Sequence, residues 1–458
     1  MEQIAIKKNQ NYIVDIIDNG IEGQGIAKIN NFTIFIPGAI KGEKVKILII
    51  KVLTSYAYGK ILEIIEKSDK RAELDCTTYK RCGGCNLRHI DYEETLNIKK
   101  NIVQILVDKT LKNKIQVESV IGMGDPYHYR NKAQYPVGIG KDGKPVIGIF
   151  ANRTHDIIPM EKCFIQDERV EQVAKFIYEF VIKNNISIYN EKTGKGSLRH
   201  IVIKIGKQTE EIMAILVING ENFKNEETLV KELLNTYPNI KAIVKNINTK
   251  NTNVILGNKN INLYGDGYIT DILGDYTFKI SPLSFYQVNP VQAEALYNIG
   301  VEQANITKQD VVFDLYCGIG TITIFMSKYA KKVYGIEIIE EAIKMAKENA
   351  RINDVKNTEF IAGDVEIVLD DLINKKNIVP DIIMIDPPRK GLDKTSIENI
   401  LKIKPKKLVY ISCNPATLVR DLAMLEEVYD IKKITPVDMF PFTSHVECVS
   451  VLQLKQDM

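Results

Sequence analysis

Hydrophobic and polar residues alternate in short runs broken by glycine from the N-terminus to about Glu66, as in IVDIIDNGIEGQGIAKINNFTIFIPGAIKGEKVKILII. A period of two marks strands with one buried face, so residues 1–66 are predicted to form a small β-barrel. The rhythm then changes. Leu96, Ile98, Ile102, Ile105 and Leu106 recur at helical spacing between lysines, which predicts a helix over about 92–112 that packs on the C-terminal domain. Between about 125 and 275, short β-like runs such as HIVIKIG and EIMAILVING alternate with Gly- and Asn-rich turns, and an α+β domain over 67–275 fits. From Val311 onward apolar strands alternate with helices, which predicts a doubly wound parallel sheet and an α/β domain over 276–458.

At 458 residues the chain is too long for one core, in keeping with several domains. The 45% of hydrophobic and 26% of charged residues leave no long disordered tract. The opening MEQIAIKKNQ lacks the apolar core of a signal peptide. No apolar run reaches the roughly 18 residues of a membrane helix, so a cytoplasmic protein with no membrane partner is expected. A net charge of +3 is small for a protein that coats duplexes, so nucleic-acid binding has to be argued from local features.

Seven cysteines without an export signal argue against a disulfide framework. In LDCTTYKRCGGCNLRHIDYEE, Cys76, Cys82 and Cys85 are spaced tightly enough to converge on a soft metal centre, with glycines that let the backbone wrap around it. Cys163, in MEKCFIQ, and His89 compete to be the fourth ligand, and spacing alone separates neither ligand nor metal, zinc or iron–sulfur. Farther on, Arg199 and His200, beside the glycines of GKGSLRH, are candidates for phosphate or base contact, with an ordinary basic turn as the alternative.

In the last third, VVFDLYCGIGTITIFM reads as a strand ending at Asp314, a turn at Gly318 and Gly320, and a helix. Glu337 closes the second strand, where a carboxylate binds a ribose diol. Thr323 stands where a dinucleotide fingerprint needs its third glycine, which favours adenosylmethionine, a nucleoside ligand without a pyrophosphate. Asp364 ends the third strand within reach of an adenine, DIIMIDPPRKG forms the fourth, and KLVYISCNPATL delivers Ser412-Cys413-Asn414-Pro415 to the same edge. Cysteine is commonly a buried small hydrophobe. A thiol at a ligand-bearing strand end is better explained by chemistry, whereas Cys317 and Cys448 read as structural.

The barrel resembles the TRAM domain in the run Gly20 to Gly25, Phe35-Ile36-Pro37-Gly38 and Gly42-Glu43. Nearly end to end, the chain resembles the RNA uracil-5-methyltransferases, specifically the branch that methylates 23S ribosomal RNA and carries a TRAM domain and a [4Fe–4S] cluster. The marks are the four cysteines, Ser284-Phe285-Tyr286-Gln287-Val288-Asn289, Asp314 to Gly320, Asp386-Pro387-Pro388-Arg389, Ser412 to Pro415 and His445-Val446-Glu447. The resemblance implies a Rossmann-like class I methyltransferase domain behind the α+β domain and the OB-like barrel. It implies that Cys76, Cys82, Cys85 and Cys163 hold the cluster, that Cys413 is the nucleophile and that Glu447 is the general base. Gln287, Tyr316, Glu337 and Asp386 would line an S-adenosyl-L-methionine site, and Phe285 would stack near a single-stranded or flipped-out uridine of 23S ribosomal RNA. Tyr286 replaces the family's phenylalanine, a change expected to be tolerated. A monomer is expected.

Three rivals are weighed against this. An amino-group methyltransferase normally follows Asp-Pro-Pro with an aromatic, where this chain has Arg389. A transfer-RNA uracil methyltransferase shares the catalytic motifs. A non-enzymatic RNA-binding protein leaves the strand-end constellation without purpose.

Overall fold

The computed structural model describes residues 6–152 and 154–456. The expected barrel is a six-stranded sheet built around the long antiparallel pair Lys44–Val52 and Tyr56–Glu66. Val14, Ile34, Ile36, Val45, Ile47 and Ile49, the alternate positions of its strands, form its core. Polar and apolar contacts fasten it to the rest of the chain. Arg71 donates to the buried Glu43 carboxylate at 2.6 Å and to the Gly38 carbonyl at 2.7 Å, and Ile40 packs with Leu87, Ile90, Ile98 and Ile102.

The central region is a seven-stranded sheet in which Leu198–Ile205 and Ile212–Ile218 are buried at every position. Their side chains alternate between two cores. Ile201, Ile203, Ala214 and Leu216 pack with helices Glu168–Lys183 and Glu226–Thr236, while Val202, Met213, Ile215 and Val217 join a core shared with Leu296, Tyr297 and Phe325. Burial on both faces is why these runs read as continuously apolar. The hairpin Ile269–Leu273 and Tyr276–Ile280 belongs to that shared core, so the expected division at 275/276 falls in its turn.

The C-terminal sheet has strands β1 (Val311–Leu315), β2 (Lys332–Glu337), β3 (Thr358–Ala362), β4 (Ile382–Ile385), β5 (Lys407–Ser412), β6 (Tyr429–Val437) and β7 (Glu447–Leu454) in the order β3-β2-β1-β4-β5-β7-β6. The first five are parallel, and β7 runs antiparallel between β5 and β6. The order reverses between β1 and β4, which opens a crevice at the carboxyl ends of the parallel strands. The expected long helix spans Tyr92–Thr110, and its Val103 and Val107 enter the core of Leu418, Val419 and Leu422 on one face of this sheet. Among the described residues no helix is long and apolar enough to cross a membrane.

Candidate active site and cysteine cavity

Strand β5 stops because Asn414 caps the next helix, Pro415–Leu425, accepting from the Ala416 N–H, with proline at the first helical turn. Cys413 is the residue left between strand and helix. The register pairs Ser412 with Cys448, so Glu447, the first residue of β7, stands beside Cys413. Glu447 is 4% exposed. Burial pushes its carboxyl up to about 8, with the Asp386 charge adding to the rise and Arg389 opposing it. The Cys413 thiol is pushed up to about 11 by burial and by Glu447, again opposed by Arg389. Asp386, one residue beyond β4, is raised to about 7 by burial. Three acidic groups thus share one corner, Glu447 buried and Cys413 and Asp386 half-buried, with the exposed Arg389 at its rim. The Arg389 carbonyl accepts from Asn414 Nδ2 at 3.2 Å and from Thr417 Oγ1 at 3.4 Å, which ties the Asp-Pro-Pro-Arg turn to the cysteine segment. From the sequence Arg389 is a motif mark and an argument against an amino-group methyltransferase, with no role of its own in the site. Its signal was the cationic pair Arg389-Lys390 directly after Asp386-Pro387-Pro388, beside a run that supplies the thiol.

The crevice beside this corner fits a nucleoside ligand. The turn after β1 places Tyr316 (φ 70°), Gly318 (φ 55°) and Gly320 (φ 82°) in the left-handed region. Tyr316 is the unusual one, because such strain in a bulky residue is held only where the surroundings impose it. A Cβ on Gly318 would meet no atom within 4 Å, so the space beside the turn is open. Glu337 is oriented at the end of β2 by the Gly318 N–H at 3.2 Å and the Ile339 N–H at 3.0 Å, with carboxylate lone pairs left over for a diol. Asp314 is buried under the turn and takes the Thr323 hydroxyl, so the residue at the third-glycine position locks the turn to its strand. Asp364 caps the helix Val365–Asp370 through the Glu366 N–H at 3.0 Å.

Across the crevice, Ser281 and Ser284 close a short loop, and Asn289 caps helix Pro290–Ala304. That loop presents Phe285 to solvent at 71% exposure while Tyr286 is buried. The Tyr286 hydroxyl donates to Asp271 at 3.3 Å, which explains how tyrosine is accommodated. The Gln287 carbonyl accepts from Asn131 Nδ2 at 2.9 Å, and its side chain lies close enough to the Tyr297 hydroxyl to favour its ionised form.

Cys76, Cys82, Cys85 and Cys163 line one cavity of about 320 Å³, together with Tyr79, Arg88 and Glu171. None is in a disulfide. Burial raises the Cys85 thiol to about 12, and the charges of Cys163, Cys82 and Cys76 add to it, so the other three sulfurs all lie within electrostatic reach of Cys85. Among the described residues, no three His, Cys, Asp or Glu side chains are gathered for a single ion. The competing ligand does not join them. His89 lies outside the cavity lining, fully buried, with Nδ1 on the Tyr79 hydroxyl at 2.6 Å.

The chain leaving Cys85 leads to the active site. Asn86 and Leu87 donate backbone N–H bonds to the Phe442 carbonyl at 3.1 and 2.9 Å, the Ser444 N–H donates to Asn86 Oδ1 at 2.7 Å, and the Arg88 guanidinium lies 4.7 Å from the Phe442 ring centre. Phe442 has φ 63°, a conformation this clamp imposes on the loop that leads into Glu447.

Arg199 and His200 correct the expectation of an RNA contact. They lie in strand Leu198–Ile205 at 4% and 7% exposure. The Arg199 guanidinium donates to the carbonyls of Asn248 (2.7 Å) and Lys250 (2.8 Å) and stacks 4.4 Å over Tyr189, so its charge is committed to the fold.

Comparison with known proteins agrees with this geometry. The family model described as tRNA (Uracil-5-)-methyltransferase matches residues 91–455, and the TRAM domain model matches residues 7–62. A protein of Clostridium acetobutylicum described as an uncharacterized RNA methyltransferase is 47% identical over 454 residues, covering 98% of each chain. One of Staphylococcus aureus is 44% identical over 452 residues, covering 98% of this chain and 100% of the relative. The solved structure of Pyrococcus abyssi tRNA (uracil-54, C5)-methyltransferase, in complex with S-adenosyl-L-homocysteine, is 26% identical with a TM-score of 0.77, covering 96% of this chain and 100% of that one. The fold is that of a Rossmann-like methyltransferase preceded by a TRAM barrel. The chain belongs to the RNA uracil-5-methyltransferase family.

Proposed function

We propose that this protein methylates C5 of a uridine in 23S ribosomal RNA with S-adenosylmethionine as donor, acting as a monomer in the cytoplasm. The observation that carries the reading is the adjacency of Cys413 and Glu447 across β5 and β7, in the same corner as Asp386 and Arg389. C5 of uracil is a poor nucleophile until a group adds to C6. Cys413 forms the Sγ–C6 bond, and the resulting enolate takes a methyl group at C5. The donor supplies that methyl as an electrophile and leaves as the thioether. Glu447 then removes the C5 proton, the C6–Sγ bond breaks, and methylated RNA and free thiol result. Arg389 favours the thiolate, against the burial and acidic neighbours that raise its pKa.

Tyr316, Glu337, Asp386 and Gln287 hold the donor around the open turn at Gly318, and Phe285 offers its face to the displaced base. The barrel (1–66) and the central domain (67–275) grip flanking RNA. Cys76, Cys82, Cys85 and Cys163 hold a [4Fe–4S] cluster. Four thiols around one cavity suit a cubane, whose ligands stand farther apart than those of one ion. Its role here is structural, because the reaction transfers no electrons.

A second reading has its own support. The Pyrococcus abyssi tRNA enzyme matches nearly the whole of this chain, so the same architecture serves a transfer-RNA substrate in that protein. Mapping 5-methyluridine in ribosomal and transfer RNA from cells lacking the protein decides between them: loss at a 23S position supports the first reading, and loss only in transfer RNA replaces it. The chemistry is tested by RNA containing 5-fluorouridine, which has no C5 proton to surrender and should be trapped on Cys413 in the presence of donor. Absence of a trapped complex overturns the covalent scheme.

A further inference from the structure

One face of the central sheet carries a row of cations. Lys132 and Lys204 are register partners on antiparallel strands Lys132–Ile139 and Leu198–Ile205, so their side chains leave the sheet on the same side. Arg130 precedes Lys132 by two residues in extended chain and shares that side. Lys204 is 4% exposed, and its amine donates to the Ser281 carbonyl at 2.8 Å and the Ser284 carbonyl at 3.0 Å. It therefore props the loop that displays Phe285. Lys132 is different: the charges beside it are the like charges of Arg130 and Lys204, and among the described residues neither Arg130 nor Lys132 forms an ion pair with a carboxylate.

The pair sits between the two loops that matter for catalysis. Asn131, between them in sequence, bonds the Gln287 carbonyl at 2.9 Å and, through its N–H, the Val288 carbonyl at 3.0 Å. Arg130 also acts electrostatically on His445, two residues before Glu447. Arg130 and Lys132 line the cavity of the four cysteines as well, where the leading cation acting on Cys85 is Arg88. Side by side, a guanidinium fork and an ammonium offer donors and no acceptor, the chemistry that takes a phosphate oxygen and not a base edge.

We propose that Arg130 and Lys132 form a phosphodiester site that receives the RNA backbone next to the uridine stacked on Phe285. The proposal rests on the uridine-methylation reading and adds where the strand is held. Removing one phosphate contact to a single strand flattens the dependence of log affinity on log salt by about 0.7. The test measures binding of the full-length protein to an unmethylated 23S ribosomal RNA transcript across a potassium chloride series. Lys132→Gln and Arg130→Gln should each lower the slope by about that amount, and Lys132→Arg should restore it.

An unchanged slope with weaker binding at every salt concentration overturns the site. An unchanged slope with loss of the visible absorbance of the cysteine centre also overturns it and assigns the cations to that centre. Trapping on 5-fluorouridine transcript, run alongside on the wild type, reports the methylation chemistry separately: its failure strikes that reading, while the salt slope reports binding alone.

Discussion

At the scale of the residue, the site is defined by what burial does to Glu447 and Cys413. A carboxyl held near 8 is protonated at about pH 7, so it cannot accept the C5 proton until it ionises. Product release should accelerate as pH rises through about 8 and then level off, and Glu447→Gln should remove that dependence. Stopped-flow release rates between about pH 6 and about pH 9 check this, and a flat wild-type profile assigns the proton to another base. Glu447→Gln should also let addition and methyl transfer proceed while stalling elimination, so a covalent protein–RNA adduct accumulates on denaturing gels. Cys413→Ala should give no adduct and no methylation while still binding the donor; turnover by that variant would move the nucleophile elsewhere. Arg389 is the group that opposes both acidic shifts. Arg389→Met should lower the rate of adduct formation by more than about tenfold, the equivalent of roughly one pKa unit in the thiol.

At the scale of the element, the segment from Asp438 to Val446 connects β6 to β7 and brings Glu447 to Cys413. It is fastened from three directions. Lys99, on the helix Tyr92–Thr110, pairs with Asp438 with both side chains fully buried, and the Tyr92 hydroxyl donates to the same carboxylate at 2.9 Å. Gln292 and Asn289, at the start of helix Pro290–Ala304, each donate at 3.0 Å to the carbonyls of Asp438 and Met439. The cysteine segment supplies the third fastening through Asn86, Leu87 and Arg88. Lys99→Met leaves the buried Asp438 carboxyl without its ion-pair partner, which should cost ~3–5 kcal/mol in urea unfolding. Adding Asp438→Leu should recover most of that loss, because a buried ion pair can be replaced by apolar packing at little net cost. No recovery in the double variant would locate the destabilisation in lost packing of the lysine stem.

At the scale of the molecule, the barrel, the central sheet and the catalytic sheet are joined by shared cores instead of linkers. The barrel leans on the cysteine segment and the long helix through Ile40 and Glu43, the central sheet shares one face with the catalytic domain, and the cysteine cavity lies among these parts. The proposed cluster, bound there, would hold Cys163 against the segment that clamps the catalytic loop. Cys85→Ser should therefore remove the visible absorbance of the purified protein and also lower the cooperativity of thermal unfolding. A colourless wild type purified without oxygen would refute the cluster, and an unaltered melting curve would refute its structural role.

The elements were legible in the sequence because each is a local pattern. Period-two alternation gave the barrel, alternating strands and helices gave the parallel sheet, and Cys413, Glu447, Asp386 and Glu337 all fall at strand ends that apolar runs announce. What the sequence determined by itself was the set of elements and the chemistry each one carries. Only the tertiary structure decided which groups meet. Arg199 and His200 resemble a basic turn in sequence, yet both faces of their strand are covered and the guanidinium is consumed by backbone carbonyls. Arg389 looks like a motif ornament until the turn bonds to the Asn414 segment beside the thiol. The physical reason is common to both: charge and burial are set by neighbours far away in the chain, and a local pattern of residues carries no record of who those neighbours are.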